Sequence, residues 1–366
     1  MSKGTTVGRP THRGPRGDHV GLIGGGLGLA PGVWCSPRRC VRACGRRLAL
    51  RCPGYPMLLL VDLDGVVYTG ADPVAGVAAV LTARVRAGDE VVYITNSSTG
   101  YRTEYAARLL DLGAPVAADH VVSSARATAL YLASRNPRPR RVLALGTDGF
   151  RRELEDVGLA VVMAGDAAER RRTEGLDAVE AAGFPDAVVV GLDRSLTYER
   201  IALAAEVIRG GVPFIAANQD SVFPGERCLW PGAGGLVAAV QDAAGIAPIA
   251  IGKPGRYLLD EAARVVGRSA SEAVVIGDSL VSDLLAARAV GARFVLMLTG
   301  VTSRWEYEAL APDDRPDAVA SNAEELAGVL RAGVTERVMT LGAGPSGALG
   351  ARGTLAAIEY GFWRPT

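Results

Sequence analysis

Two aspartates, Asp62 and Asp64, directly follow the apolar run LLLV in the sequence. Residues two apart in an extended chain point to the same side, and two unit charges about 4 Å apart repel by about 4 kcal/mol at an effective dielectric near 20. Such a pair is tolerated beside a divalent cation or another positive charge, or when one carboxyl keeps its proton. Turn and capping roles, with Gly65 completing the turn, would explain one aspartate but not both.

Three other apolar runs also end in polar residues. VVYI is followed by Thr95 and Asn96, IAI by a glycine and Lys253, and AVVI by a glycine and Asp278, with Asp283 five residues later. Functional groups of an open parallel sheet gather beyond the carboxyl ends of its strands, so we expect these groups to meet. Helix capping is the alternative for Thr95, Asn96 and Asp283.

Lys253 is the only lysine after residue 56, where the chain has 29 arginines. An isolated lysine is usually a solvated surface residue. A compact ammonium, unlike a planar guanidinium, can reach a phosphoryl oxygen and a carboxylate at once. The retention of one lysine therefore favours a role in a phosphate site.

The elements that must position these residues are short β-branched or leucine-rich runs that alternate with alanine-rich stretches. This pattern predicts an α/β fold with a parallel sheet covered by helices. The predicted strands are 57–61, 91–94, 142–145, 187–190, 213–216, 247–251, 273–276 and 293–298. The predicted helices are 75–87, 102–112, 123–134, 149–157, 198–210, 233–244, 255–267 and 282–290.

Length and composition exclude several classes of protein. The chain has 366 residues, enough for two domains of roughly 100 to 200 residues each, and 49% hydrophobic and 22% charged residues, as in a globular protein. No uninterrupted apolar run approaches the roughly 18 residues of a membrane-spanning helix. Residues 57–366 hold 30 basic and 38 acidic residues, and this balance argues against nucleic acid as a partner.

The first 56 residues differ from the rest of the chain. They hold ten basic residues, one acidic residue and four of the five cysteines. Their cysteine spacing lacks the close pairs of zinc sites, and their glycine-rich apolar stretch lacks the features of a secretory signal. We expect a disordered or untranslated leader, with Met57 as a candidate start, a cytoplasmic protein and a loosely ordered tail at 333–366. The sequence leaves the oligomeric state open, with a homodimer as one option.

The motifs VDLDGVVYTG, ITNSS, IGKP and GDSLVSD, in this order, resemble the four motifs of the haloacid dehalogenase superfamily, and the first is similar to that of its phosphatases. The long insertion between ITNSS and IGKP resembles that of the class IIA branch, which includes nucleotide, p-nitrophenyl phosphate, phosphoglycolate, glycerol phosphate and pyridoxal phosphate phosphatases. The resemblance covers about residues 57–330. It implies a doubly wound parallel sheet, the HAD-like Rossmannoid core, at 57–123 and 241–332, with an inserted α/β cap domain at 124–240.

The resemblance also implies an activity, the magnesium-dependent hydrolysis of a small-molecule phosphate ester. Asp62 would be the nucleophile that becomes an aspartyl phosphate, and Asp64 would protonate the leaving oxygen and later activate water. Thr95 and the Asn96 backbone would hold phosphate oxygens, and Lys253 would neutralise the phosphate and the nucleophile.

The resemblance places Mg²⁺ on Asp278, Asp62 and the carbonyl of Asp64, with Asp283 acting behind these ligands or through metal-bound water. Ser279 and Ser282 depart from the residues common in the branch, and this bears on substrate choice.

Two residues after the predicted strand 213–216, Asn218 and Asp220, are candidates for substrate or hinge contacts of the cap. The alternative for both is an ordinary Asx turn.

Two other functions stay open at this stage. A phosphoacceptor signalling module also uses acidic residues, a threonine and a lysine around magnesium, but it needs about half this length and no cap. A protein with the fold but only a binding role is the second alternative. Turnover of p-nitrophenyl phosphate with Mg²⁺ separates the three: sustained turnover indicates an enzyme, a single burst a signalling module, and no reaction a binding protein.

Overall fold

The structure is a computed structural model, and it describes residues 56–174, 183–224 and 228–332. The expectations for residues 1–55 of the leader and for the tail from residue 333 fall outside the described residues. Within the described residues, no helix combines the length and the apolar character needed to cross a bilayer.

The strands, in chain order, are β1 (Leu58–Asp62), β2 (Tyr68–Thr69), β3 (Asp72–Pro73), β4 (Glu90–Thr95), β5 (Val121–Ser123), β6 (Arg141–Leu145), β7 (Ala160–Met163), β8 (Ala187–Val190), β9 (Phe214–Ala216), β10 (Val222–Pro224), β11 (Leu229–Pro231), β12 (Ile249–Ala250), β13 (Ala273–Gly277), β14 (Arg293–Met297) and β15 (Ala318–Ala320).

The α-helices are α1 (Val77–Arg86), α2 (Arg102–Asp111), α3 (Ser124–Ala133), α4 (Asp148–Asp156), α5 (Ala164–Glu174), α6 (Tyr198–Arg209), α7 (Ala233–Ala244), α8 (Tyr257–Val265), α9 (Asp283–Val290), α10 (Arg304–Glu308) and α11 (Ala323–Ala332). Every predicted strand and helix is present with small differences at its ends.

The larger sheet has six parallel strands in the order β15-β14-β13-β1-β4-β5. All of β1 is buried, as its apolar run of residues 58–61 requires in a sheet covered on both faces. From β1 the chain builds towards β4 and β5, and it later returns to the other side of β1 to build β13, β14 and β15. This reversal opens a crevice beyond the carboxyl ends of β1 and β13, where ligands of open α/β sheets bind.

A second parallel sheet, in the order β12-β9-β8-β6-β7, is formed by residues that lie between β5 and β13 in the chain. We call residues 141–250, which contain these strands, the inserted unit. One apolar cluster joins the two sheets, because it includes Ile94 of β4 together with Val142 and Ile215 of the inserted unit. The expected fold class, a doubly wound parallel sheet with an inserted α/β unit, is confirmed.

Candidate active site

One cleft of about 680 Å³ lies beyond the carboxyl ends of β1, β4 and β13. Its lining comes from both the larger sheet and the inserted unit. The predicted site residues that line it are Asp62, Asp64, Thr95, Asn96, Asn218, Asp220, Lys253 and Asp278. Residues up to 216 positions apart in the chain are thus brought to one surface, as the convergence of parallel strand ends predicts.

Three carboxylates form the acidic cluster of the site: Asp62, Asp278 and Asp283. Each offers an oxygen within 4.8 Å of the others, and all three residues are buried. Asp62 ends β1, Asp278 follows β13 and Asp283 begins α9, so the cluster depends on the register of two neighbouring strands. Hard divalent cations such as Mg²⁺ prefer oxygen ligands of this kind.

Lys253 lies within the acidic cluster. Its ammonium is 2.8 Å from a carboxylate oxygen of Asp62 and 2.7 Å from one of Asp283, and its side chain is 3% exposed. Burial opposes the charge of this lysine, but the two carboxylates outweigh burial and raise its pKa. Lys253 is therefore a buried cation, and the alternative of a solvated surface lysine is wrong.

The single ammonium of Lys253 does not balance the three carboxylates of the acidic cluster. Burial raises the pKa of Asp62, and Asp283 and Asp278 raise it further, while Lys253 opposes both effects. Burial and the neighbouring Asp283 also raise the pKa of Asp278 to about 6. With all three carboxylates ionised, one ammonium leaves two negative charges, which a divalent cation would balance, and these oxygen ligands fit such an ion.

Two glycines allow the backbone to approach Asp278 closely. A Cβ atom at Gly65 or at Gly300 would overlap the carboxylate of Asp278, and Gly65 also has a φ of +77°, which favours glycine. The same carboxylate accepts a 2.7 Å hydrogen bond from the N–H of Val301. The position of Asp278 is thus fixed by two loops, one after β1 and one after β14.

Asp64 is placed differently from its neighbour Asp62. The strand ends at Asp62, so the two-residue alternation assumed from the sequence no longer applies, and the carboxylate of Asp64 is not part of the acidic cluster. Asp64 is exposed, lines the cleft and accepts a 3.4 Å hydrogen bond from the N–H of Gly70. Of the two aspartates, only Asp62 thus belongs to the acidic cluster.

The carboxyl end of β4 supplies hydroxyl and amide groups to the cleft. The hydroxyl of Thr95 accepts the N–H of Ser97 at 3.2 Å, so its own hydrogen can be donated to a ligand. The side chain of Asn96 is used inside the protein: its amide nitrogen donates to the carbonyl of Lys253, and its amide oxygen accepts the N–H of Lys253. Asn96 therefore fixes the main chain that carries the buried lysine.

Asn218 and Asp220 connect the inserted unit to the larger sheet. The amide of Asn218 donates to the carbonyl of Asn96 at 2.7 Å, and a carboxylate oxygen of Asp220 accepts the other Asn96 amide hydrogen at 2.9 Å. Asn218 also accepts the N–H of Asp220 at 3.2 Å, the hydrogen bond of an Asx turn. The Asx turn is thus present together with the hydrogen bonds to Asn96, and contact of these two residues with a substrate stays a prediction.

Ser98, which the sequence did not single out, is a further link to the inserted unit. It is 1% exposed, and its hydroxyl oxygen accepts the N–H of Leu192 at 3.0 Å. On the opposite side of the cleft, the N–H of Ser279 donates to Asp283, and the hydroxyl of Ser279 accepts the N–H of Ser282. The sequence shows the two serines of ITNSS and the two of GDSLVSD, but it does not show which groups they form hydrogen bonds with.

A buried ion pair joins α2 to α4 outside the cleft. Arg102 donates to Glu153 twice, from its main chain at 2.8 Å and its guanidinium at 2.7 Å, and also pairs with Asp156 at 2.6 Å. The side chain of Glu153 is fully buried, and burial raises its pKa while Arg102 opposes the shift. This pair fixes the inserted unit against the larger sheet.

Comparisons with known proteins agree with this geometry. A family model described as haloacid dehalogenase-like hydrolase matches residues 59–160, and an HAD-hydrolase-like model matches residues 250–326. These ranges contain all four motifs, and the gap between them falls within the inserted unit.

The chain is 36% identical over 268 residues to the D-glycerol 3-phosphate phosphatase of Mycobacterium tuberculosis, covering 73% of this chain and 70% of that protein. It is 32% identical over 245 residues to the 5'-nucleotidase YutF of Bacillus subtilis, covering 67% and 88%. The structure of the glycerol phosphate phosphatase Rv1692 from M. tuberculosis in complex with magnesium superposes with a TM-score of 0.62 at 35% identity, covering 74% and 75%. The chain thus belongs to the haloacid dehalogenase-like hydrolases, in the class IIA phosphatase branch that its motifs resemble.

Proposed function

We propose that this protein is a magnesium-dependent phosphatase that hydrolyses small-molecule phosphate monoesters through an aspartyl phosphate. The single observation that carries the proposal is the acidic cluster with Lys253 among its carboxylates, at the carboxyl ends of the central strands. A scaffold has no need for so many buried charges, because burying each of them costs free energy. Relatives named as phosphatases support the same conclusion.

Asp62 is the proposed nucleophile. One of its carboxylate oxygens accepts the N–H of Leu63 at 2.9 Å and the other contacts Lys253, so the side chain is held in one orientation at the floor of the cleft. In the first step an oxygen of Asp62 bonds to phosphorus and the bond from phosphorus to the leaving oxygen breaks. In the second step water bonds to phosphorus and the aspartyl phosphate bond breaks, which restores the carboxylate.

Asp64 is the proposed acid and base. Its exposure in the cleft gives it access to both the leaving group and water. It donates a proton to the leaving oxygen in the first step and takes one from the attacking water in the second, so one group serves both half-reactions.

Phosphate binding is assigned to Thr95, the main-chain N–H of Asn96 and Lys253. Lys253 neutralises Asp62 and the phosphate together, which a single ammonium among carboxylates can do.

Asp62, Asp278 and the carbonyl of Asp64 would hold Mg²⁺, with Asp283 behind them. The ion would reduce the repulsion between the nucleophile and the phosphate and stabilise charge on the equatorial oxygens. Asp283 orients Lys253 through its 2.7 Å contact.

The inserted unit is the proposed cap, which excludes water and contacts the leaving group. Asn218 and Asp220, both bonded to Asn96, would lie at its hinge, close to the phosphate site. The second sheet, whose strands lie between residues 141 and 250, supports a cap in this part of the chain, where the expected bounds are 124–240.

The test is incubation of the full chain with p-nitrophenyl phosphate and Mg²⁺. Sustained turnover, together with capture of a phosphorylated Asp62 in rapid-quench samples analysed by mass spectrometry, would support the proposal. A single burst without turnover would favour a signalling module. No reaction would favour a binding protein and overturn the phosphatase assignment.

A further inference from the structure

Arg194 is a cation of the cleft that the proposed chemistry does not use. It lies in the loop between β8 and α6 and faces the cleft from the inserted unit. Among the described residues, the other cations that line the cleft are Lys253, which pairs with two carboxylates, and Arg108. Within the described part of the chain, no carboxylate pairs with Arg194.

Two aromatic rings hold Arg194 without using its hydrogen-bond donors. Its guanidinium carbon lies 5.5 Å from the ring centroid of Phe223 and 5.5 Å from that of Trp230. These residues are directly opposite each other in the β10–β11 hairpin. A cation–π contact is an attraction to the ring and takes up none of the hydrogen-bond donors of the guanidinium in the way that a carboxylate does. Phe223 and Trp230 thus contact the guanidinium of Arg194 without accepting hydrogen bonds from it, and its donors stay available to a ligand.

Two other arginines of this protein, unlike Arg194, use the hydrogen-bond donors of their guanidinium groups in contacts within the protein. Arg200, on α6, binds both oxygens of Asp193 at 3.0 and 2.8 Å. Arg108 stacks 3.5 Å from the ring of Tyr68 and donates to the carbonyl of Gly70, so its contacts support the loop next to Asp64. The donors of Arg194 have no comparable partner among the residues that the structure describes.

We propose that Arg194 is a specificity-determining residue that binds a carboxylate on the leaving group, so that the preferred substrates are phosphate monoesters of hydroxy acids. The inference rests on the proposed phosphatase function and concerns the same cleft. A single guanidinium balances one carboxylate charge and presents the paired donors that a carboxylate accepts. A second phosphate on the leaving group, in place of the carboxylate, would bring nearly two negative charges to this one cation.

The experiment compares 3-phosphoglycerate with glycerol 3-phosphate, which share a three-carbon skeleton and differ in a terminal carboxylate or hydroxymethyl group. We expect the wild-type kcat/KM to favour 3-phosphoglycerate. Arg194→Met should lower the ratio of the two kcat/KM values about 10- to 100-fold, the value of a charge-assisted hydrogen bond. Arg194→Lys should keep part of the preference, because it retains the charge but not the fork.

Arg170→Met is the matched control, since Arg170 is exposed on α5 and does not line the cleft. It should leave the ratio unchanged, and thermal unfolding should show that all variants are folded. A wild-type protein without preference for 3-phosphoglycerate, or an Arg194→Met variant with an unchanged ratio, would overturn the role of Arg194 alone. A wild-type protein that also fails to hydrolyse p-nitrophenyl phosphate would overturn the phosphatase assignment and this inference with it.

Discussion

The ammonium of Lys253 lies 2.7 Å from the carboxylate of Asp283, and both side chains are almost completely buried. Asp283 is fixed in turn, because its other oxygen accepts the N–H of Ser279 at 3.1 Å. The lysine is therefore directed at Asp62 by a carboxylate on a different element, and in the proposed mechanism the reactivity of the site would depend on this arrangement as well as on Asp62.

Asp62→Asn should reduce turnover of p-nitrophenyl phosphate at least about 10³-fold, because the amide cannot form the covalent intermediate. Circular dichroism and thermal unfolding should show a folded protein, since the replacement has nearly the same shape. Asp242→Asn, at an exposed position on α7, is the control and should keep wild-type rates. Retained turnover in Asp62→Asn would rule out Asp62 as the nucleophile.

Lys253→Arg should lose at least about 10²-fold in kcat, although the charge is conserved, because a planar fork cannot take the place of a buried ammonium held 2.8 Å from Asp62. Steady-state kinetics with p-nitrophenyl phosphate measures the loss. Near-normal kinetics would show that only the charge at this position matters.

Removal of divalent cations with EDTA should stop turnover, and Mg²⁺ should restore it. Because the ion would bind the folded acidic cluster, free Mg²⁺ at about 100 times its Kd should add about 2.7 kcal/mol to the free energy of unfolding. Asp278→Asn should weaken both responses, since it removes one carboxylate of the cluster. Thermal unfolding with and without Mg²⁺ gives a readout separate from activity. An identical melting temperature in both conditions would contradict metal binding.

Arg102→Met should lower the free energy of unfolding by about 3 kcal/mol near pH 8, because it leaves the buried Glu153 without its main partner. Burial raises the pKa of Glu153 above 4.5, so protonation favours the folded state, and this contribution is lost as the pH rises through the folded-state pKa. The variant should therefore lose less stability near pH 5, where protonation relieves the unpaired charge.

Urea unfolding at the two pH values measures this difference for Arg102→Met. The control is Arg86→Met, at an exposed position of α1, which should have little effect at either pH. An equal loss near pH 5 and pH 8 would show that Glu153 does not carry the effect.

The central part of the fold could be predicted from the sequence because its strands are long and buried on both faces. The first four residues of β1 form a continuous apolar run, and a short run of this kind is typical of a strand buried on both faces. The prediction missed β2, β3, β5, β10, β11 and β15, which have two or three residues each, and β7, which is partly exposed at the edge of its sheet. It also missed α5, where charged residues outnumber apolar ones and give only a weak periodic pattern.

The centre of the site could also be predicted, since strand ends converge by topology whatever the loops do. Lys253 and Asp278 lie where this rule places them. The pairs that hold the inserted unit could not be predicted in this way. Arg102 and Glu153 are 51 positions apart on separate helices, and their contact depends on how two surfaces are oriented, which no local pattern encodes.

Gly65 and Gly300 have no side chain with which to take part in a reaction, yet each leaves room that the carboxylate of Asp278 occupies. A methyl group at either position would compete with that oxygen for the same volume. In a saturation-mutagenesis map, Gly65 and Gly300 should therefore tolerate substitution as poorly as Asp278 does. The volume left by an absent side chain is then as necessary to the site as the polar atoms that surround it.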